Sequence, residues 1–216
     1  MRLQNPMSVV TPTLDGDVLM ALASTSRAFT AGDLHRLIGQ HSHTGIRKVL
    51  LRLELEGIVD AENVGNAIAY RFNSEHIAAP AITELAQLRS AYFERLRAEF
   101  QSWDPAPVFA AMFGSAARGE MGNSSDIDLF VVRPDGLDDE AGERWDGNLL
   151  DIQHRASRWT GNDVRALEMG EAEVIENLHA EPVLEAIRYD GVVLYGSSGF
   201  WRRAYAKNAE VHASNT

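Results

Sequence analysis

An α/β chain in two units is what the sequence predicts: three short helices closed by a β-hairpin, then a larger domain built on a mixed sheet. Three observations lead there. Residues 12–78 carry apolar positions at helical spacing three times over, followed by two β-prone runs that flank the turn-prone Asn63-Val64-Gly65-Asn66. Between Pro80 and Pro107 a helical run is bracketed by prolines, which marks a boundary. From Val108 onward apolar strands alternate with turns and helices. A chain of 216 residues accommodates two small cores of this kind.

Leu14, Val18, Leu19 and Leu22 fall on one face of the first helix. Thr30 with Asp33 three residues later reads as an N-cap opening a second helix that buries Leu34, Leu37 and Ile38. The third helix, over 44–56, repeats Ile46, Val49, Leu50 and Leu53 and stops at Gly57. Strands are expected over 57–61 and 67–72. This order, and the stretch from Thr44 to Val59, resemble the winged-helix regulators of bacteria. The resemblance implies a winged helix-turn-helix domain over 1–79 that pairs as a homodimer, with the third helix in a DNA major groove and Arg47, Lys48 and Arg52 as DNA contacts. Charge argues the other way. Six Lys and Arg stand against eight acids in 12–78, and the whole chain carries -11, whereas a surface that replaces the counterions around phosphates is usually basic. Dimerisation or partner docking is the alternative use of such a unit.

Residues 80–104 read as a connecting helix with Leu85, Leu88, Tyr92, Leu96 and Phe100 on one face. An α/β domain is expected over 105–200 and a frayed tail over 201–216. The domain reads as a strand (108–113), a tight turn at Gly114-Ser115, a short helix (116–120), a polar loop (121–125) and a second strand (126–132). A helix ending near Trp159, a third strand (162–169), helices across 171–188 and an apolar run (192–195) complete it. With no cysteine, a disulfide framework, a thiolate zinc site and a cysteine nucleophile are excluded. The first twelve residues lack a secretory apolar stretch, and 108–113 is far too short to span a bilayer, so a cytoplasmic protein with no membrane partner is expected.

The chemistry concentrates after Val108. A glycine at 114 lets backbone approach a ligand closely, and Ser115 with the amides that follow can donate hydrogen bonds to phosphate oxygens. Asp126 and Asp128, two apart on a strand, project from one face and can share a hard cation, while Ile127 and Leu129 anchor the other face in the core.

Taken together, Gly114-Ser115-Ala116-Ala117-Arg118-Gly119 and Ser125-Asp126-Ile127-Asp128-Leu129 resemble the signature of the DNA polymerase beta-type nucleotidyltransferases, most closely the minimal bacterial members. The resemblance implies magnesium and a nucleoside triphosphate, ATP first among them. The reaction it implies is transfer of the nucleoside monophosphate to a hydroxyl on a protein, RNA end or small molecule, with release of pyrophosphate. By the same resemblance Asp126 and Asp128 are metal ligands and catalytic, Ser115 holds the β- and γ-phosphates, and Gly114, Arg118 and Ser125 complete the nucleotide site. Minimal members often act as antitoxins that adenylylate a partner toxin, and an attached winged helix suits a regulator of its own operon. Antibiotic nucleotidylation fits less well, because the N-terminal unit has no evident part in it.

One position departs from the family pattern. Full activity there uses a third carboxylate, on a later strand, as the base that activates the acceptor, and alignment places Arg165 at that position. Asp163 shares its face and is the favoured third catalytic carboxylate; Glu168 lies on the other face unless a bulge intervenes, and His154 is another candidate base. If none serves, the alternative is a winged-helix transcriptional regulator whose second domain senses nucleotide. The second Gly-Ser pair, Gly196-Ser197, has no aspartate pair after it and reads as a strand end, and His41 with His43 reads as surface histidine rather than a zinc site.

Overall fold

The structure is a computed structural model that describes residues 1–122 and 124–214. Contacts divide the chain into Met1–Ser90 and Ala91–Thr216. The first unit holds helices α1 (Leu14–Ala23), α2 (Ala31–Ile38), α3 (His43–Leu55) and α4 (Ala79–Ala86), with strands β1 (Phe29–Thr30), β2 (Val59–Val64) and β3 (Ala67–Phe72). The capping box forms as its residues imply: the Thr30 hydroxyl accepts from the Asp33 amide at 3.1 Å, and the Asp33 carboxylate accepts from the Thr30 amide at 2.9 Å. Val18, Leu22, Leu34, Ile46, Leu50, Leu53 and Tyr70 meet in the core. Leu37, expected inside, is 62% exposed. The hairpin is tighter than the sequence suggests, with β2 running on to Val64 and only Gly65 and Asn66 between the strands. β1 was not legible. Its two residues pair with β3, giving an antiparallel sheet of order β1-β3-β2.

The connecting helix expected over 80–104 is two helices. α4 carries Pro80 in its first turn, where a missing amide costs nothing, and ends at Gln87; α5 (Leu88–Gln101) then begins, and the division between the units falls within its first turn. Tyr92, Phe93, Leu96 and Phe100 of α5 are buried.

The second unit adds β4 (Phe109–Phe113), α6 (Gly114–Arg118), β5 (Ile127–Arg133), α7 (Asp139–Thr160), β6 (Val164–Gly170), α8 (Glu171–Asn177), α9 (Pro182–Asp190), β7 (Val192–Tyr195) and α10 (Gly199–Ser214). The four strands lie in the order β6-β5-β4-β7. β4 is antiparallel to both neighbours, and β6 runs parallel to β5, the long α7 supplying the crossover that a parallel pair needs. One sheet face packs Phe109, Phe130, Val132 and Met169 against Val174, Leu184, Ile187, Phe200 and Trp201 of α8 to α10. On α7, Trp145, Ile152 and Ala156 are buried, and Trp145 meets Trp103 edge-on at 5.2 Å. The tail expected from 201 is therefore corrected: through Ser214 it is helix α10, because Phe200, Trp201 and Ala204 have a core to enter and the buried Asn208 donates to the carbonyl of Ile175 at 2.6 Å. Asn215 and Thr216 lie outside the described residues. Among the described residues no helix is long and apolar enough to cross a membrane.

Candidate active site

Strand pairing brings three chain segments to one end of the second unit's sheet. β4 ends where β5 begins, with Phe113 opposite Asp128, and β6 begins beside β5, with Arg165 opposite Asp128. Gly114 follows Phe113 at a φ of +70°, a conformation that L side chains rarely adopt. A Cβ on it would stand 2.5 Å from Oδ2 of Asp128. The carboxylate therefore lies directly over the glycine, and this close approach, more than the turn alone, demands that residue. Ser115 follows in the first turn of α6, half-buried.

Asp126 and Asp128 share a face because they alternate, while Ile127 and Leu129 point the other way and are fully buried. Burial, and then the neighbouring charge of Asp126, raise Asp128 above the ordinary carboxylate range against the opposing pull of Arg165. A carboxylate opposed in this way by burial and by a neighbouring carboxylate suits a divalent cation, which compensates both charges. Among the described residues no third His, Asp or Glu completes a metal-binding cluster. The donor set fits a magnesium ion held by Asp126 and Asp128, which commonly keeps water and substrate phosphate oxygens as its remaining ligands.

The loop before β5 is organised by two polar contacts. The Ser125 hydroxyl accepts from the Gly122 amide at 2.8 Å, and the Ser125 carbonyl accepts from the side-chain amide of Asn162 at 2.9 Å. Ser125, expected at the nucleotide, thus shapes the loop that presents Asp126; Asn123, inside that loop, lies outside the described residues. Asn162 is buried and escaped the sequence reading, although an Asn between a turn glycine and a strand is a recognisable signal. The carbonyl of the next residue, Asp163, accepts from the amide of Ile127 at 2.8 Å, which opens the parallel pairing. Arg118 is engaged elsewhere, 2.8 Å from Glu120 and 3.7 Å from Asp190.

The position of the family's third carboxylate is filled by a guanidinium. Arg165 stands 3.1 Å from Asp126 and 3.0 Å from Asp163, bridging the two. Its hydrogen bond to Asp163, and then the Asp126 charge, hold it firmly protonated. Asp163 does share the Arg165 face, and the bridge ties its carboxylate there. Glu168 is on the opposite face, where it accepts from the Trp145 indole at 3.0 Å and lies 3.4 Å from Arg133. That removes it from the site. His154 is exposed on α7. Gly196-Ser197 follows β7, whose Tyr195 pairs with Ala110 toward the start of β4, so this second Gly-Ser lies toward the opposite end of the sheet from Gly114.

In the first unit, Arg47 and Lys48 are exposed on α3, whereas Arg52 pairs with Asp15 of α1. His41 lies 2.8 Å from Asp17, and the ring of His43 meets that of His35, not His41.

Residues 93–186 match the family model described as a nucleotidyltransferase domain. Among solved structures the chain is similar to a toxin-antitoxin MntA-HpeT mutant, at 17% identity with a TM-score of 0.39, covering 56% of this chain and 87% of that one. It is also similar to a toxin-antitoxin with AMP-PNP, at 20% identity with a TM-score of 0.35, covering 57% of this chain and 86% of that one. No curated protein matches. The matched segment contains the Gly114 turn, both aspartates and Arg165, and the chain is an enzyme carrying a nucleotidyltransferase domain.

Proposed function

We propose that the carboxylate end of this sheet transfers a nucleoside monophosphate, AMP from ATP in the first instance, to an acceptor oxygen with release of pyrophosphate. The observation that carries the reading is the apposition of Gly114, Asp126 and Asp128, in which a glycine with left-handed backbone seats one of two mutually repelling carboxylates. Asp126 and Asp128 would hold the magnesium ion, which supplies Lewis-acid stabilisation of charge on the phosphoryl oxygens. Ser115, which follows Gly114 in the turn, would be the hydrogen-bond donor to phosphate oxygens. Arg118 would reach phosphate only by leaving Glu120 and Asp190. The test is incubation of the full chain with magnesium and ATP labelled at the α- or γ-phosphate in lysate of the source organism. The α-label should move to an acceptor and the γ-label to pyrophosphate; retention of both in ATP overturns the reading.

A second reading concerns the first unit, where the three helices and the β2-β3 hairpin leave Arg47 and Lys48 exposed on α3. As a winged helix pairing in a homodimer, it would place these two side chains on DNA, with Arg52 available only if it leaves Asp15. Arg47→Ala with Lys48→Ala should then weaken retention of the gene's own promoter fragment in a gel shift by at least about tenfold at moderate salt, since each lost phosphate contact removes counterion release. A wild-type chain that shifts this fragment no better than unrelated DNA excludes the regulator role and leaves the unit as a docking module.

A further inference from the structure

We infer that the acceptor reaches this site already ionised, as a carboxylate or a phosphate, and that Arg165 is the residue that receives it. The inference rests on the nucleotidyl-transfer reading above and names the class of its second substrate. A neutral hydroxyl must lose a proton as it attacks, so a base has to stand within hydrogen-bond reach of it. Among the described residues, the acidic side chains of β5, of β6 and of the residues just before them are already engaged. Asp126 and Asp128 are the cation's ligands, Asp163 is bridged by Arg165, and Glu168 points through the sheet to Trp145 and Arg133.

What the site presents to an incoming group beside Asp126 is a guanidinium whose side chain is 66% exposed, and a guanidinium cannot accept a proton. Its planar fork matches the two oxygens of a carboxylate or phosphate, and it lowers the cost of bringing one anion toward another. An ionised acceptor makes a base unnecessary. Its oxygen lone pair forms the bond to the α-phosphorus, the bond from that phosphorus to the bridging oxygen breaks, and pyrophosphate leaves with the electron pair. No proton changes hands. The product is a mixed anhydride if the acceptor is a carboxylate and a phosphoanhydride if it is a phosphate.

The linkage formed on the acceptor in lysate, with the full chain, magnesium and α-labelled ATP, decides the matter. Label released as AMP by neutral hydroxylamine, with an unlabelled hydroxamate left on the acceptor, identifies a carboxylate; label stable to hydroxylamine but cleaved by a pyrophosphatase specific for phosphoanhydrides identifies a phosphate. Either result is expected to fall at least about tenfold in Arg165→Ala and to survive in part in Arg165→Lys, because a point charge replaces the fork imperfectly. Label resistant to both treatments, a phosphodiester on a hydroxyl, overturns the inference while leaving nucleotidyl transfer standing. Absence of any label overturns the transfer reading and the inference with it.

A binding readout tests the placement of Arg165 independently of turnover. Because its guanidinium competes with a cation for Asp126, manganese bound in place of magnesium and followed by its paramagnetic resonance should bind about three- to tenfold more tightly to Arg165→Gln. Equal or weaker binding would remove Arg165 from the site.

Discussion

Asp126→Asn combined with Asp128→Asn is expected to lower nucleotidyl transfer by at least about a thousandfold, the equivalent of roughly 4 kcal/mol of transition-state stabilisation. Asparagine keeps the shape of both side chains, so the seat of residue 128 over Gly114 is preserved while the charge that retains a divalent cation is gone. The accompanying stability change has a definite sign. In the folded chain Asp128 is raised above the usual aspartate value of 3.8, so its stabilising contribution is complete below that value and is lost as pH rises through the higher folded one. At neutral pH the native state therefore carries a carboxylate that burial and Asp126 oppose. The Asp126–Arg165 pair lost in the same variant is exposed and worth little. The double variant should melt no lower than the parent at pH 7, and its advantage should shrink on acidification toward the unfolded value of Asp128. Thermal melts across pH, run beside the α-label assay, check both halves. Undiminished transfer would sink the proposed site; a large loss of melting temperature would mean that these carboxylates are structural instead.

Lost activity with retained stability is what a functional site would leave in a fold, whereas which parts of the chain can be read in advance depends on how local each signal is. Gly114, Ser115, Asp126 and Asp128 were legible because each signal is local: a turn that needs glycine, and an alternation that puts two side chains on one face. The helices of the first unit were legible for the same reason, through period and the Thr30-Asp33 cap. What escaped depends on pairing across the chain. The family resemblance already set Arg165 at the third-carboxylate position, but no local pattern gives the parallel register of β6 on β5, and without that register the bridge to Asp126 and Asp163 is invisible. The same is true of Glu168, whose partner Trp145 comes from α7, and of the two-residue β1, which exists only because β3 offers it an edge. α10 was missed because its apolar contacts are spent near its start, at Phe200, Trp201 and Ala204, leaving a largely polar remainder that looks like a tail.

Gly114→Ala should produce the largest single-residue defect, and it separates two costs that act at that position. One is conformational: an L residue held at a φ of +70° costs about 1–2 kcal/mol. The other is steric, since the new Cβ would stand 2.5 Å from Oδ2 of Asp128 and that carboxylate must move. Gly136→Ala is the matching control, with a φ of +73° and nothing within 4 Å of its Cβ. All four tryptophans, Trp103, Trp145, Trp159 and Trp201, belong to the second unit, so fluorescence-monitored urea unfolding reports on that unit alone. By this measure Gly136→Ala should lose about 1–2 kcal/mol and retain transfer close to the parent's. Gly114→Ala should lose more than that, up to about 3 kcal/mol, and its transfer should fall at least about a hundredfold, as expected when a ligand-bearing carboxylate is displaced by an ångström. Equal losses in the two variants, with transfer intact in both, would show that Asp128 does not depend on the glycine beneath it. The unequal result would tie the turn to the chemistry: the residue that lets β4 end in a left-handed turn is the same one that makes room for the carboxylate of β5.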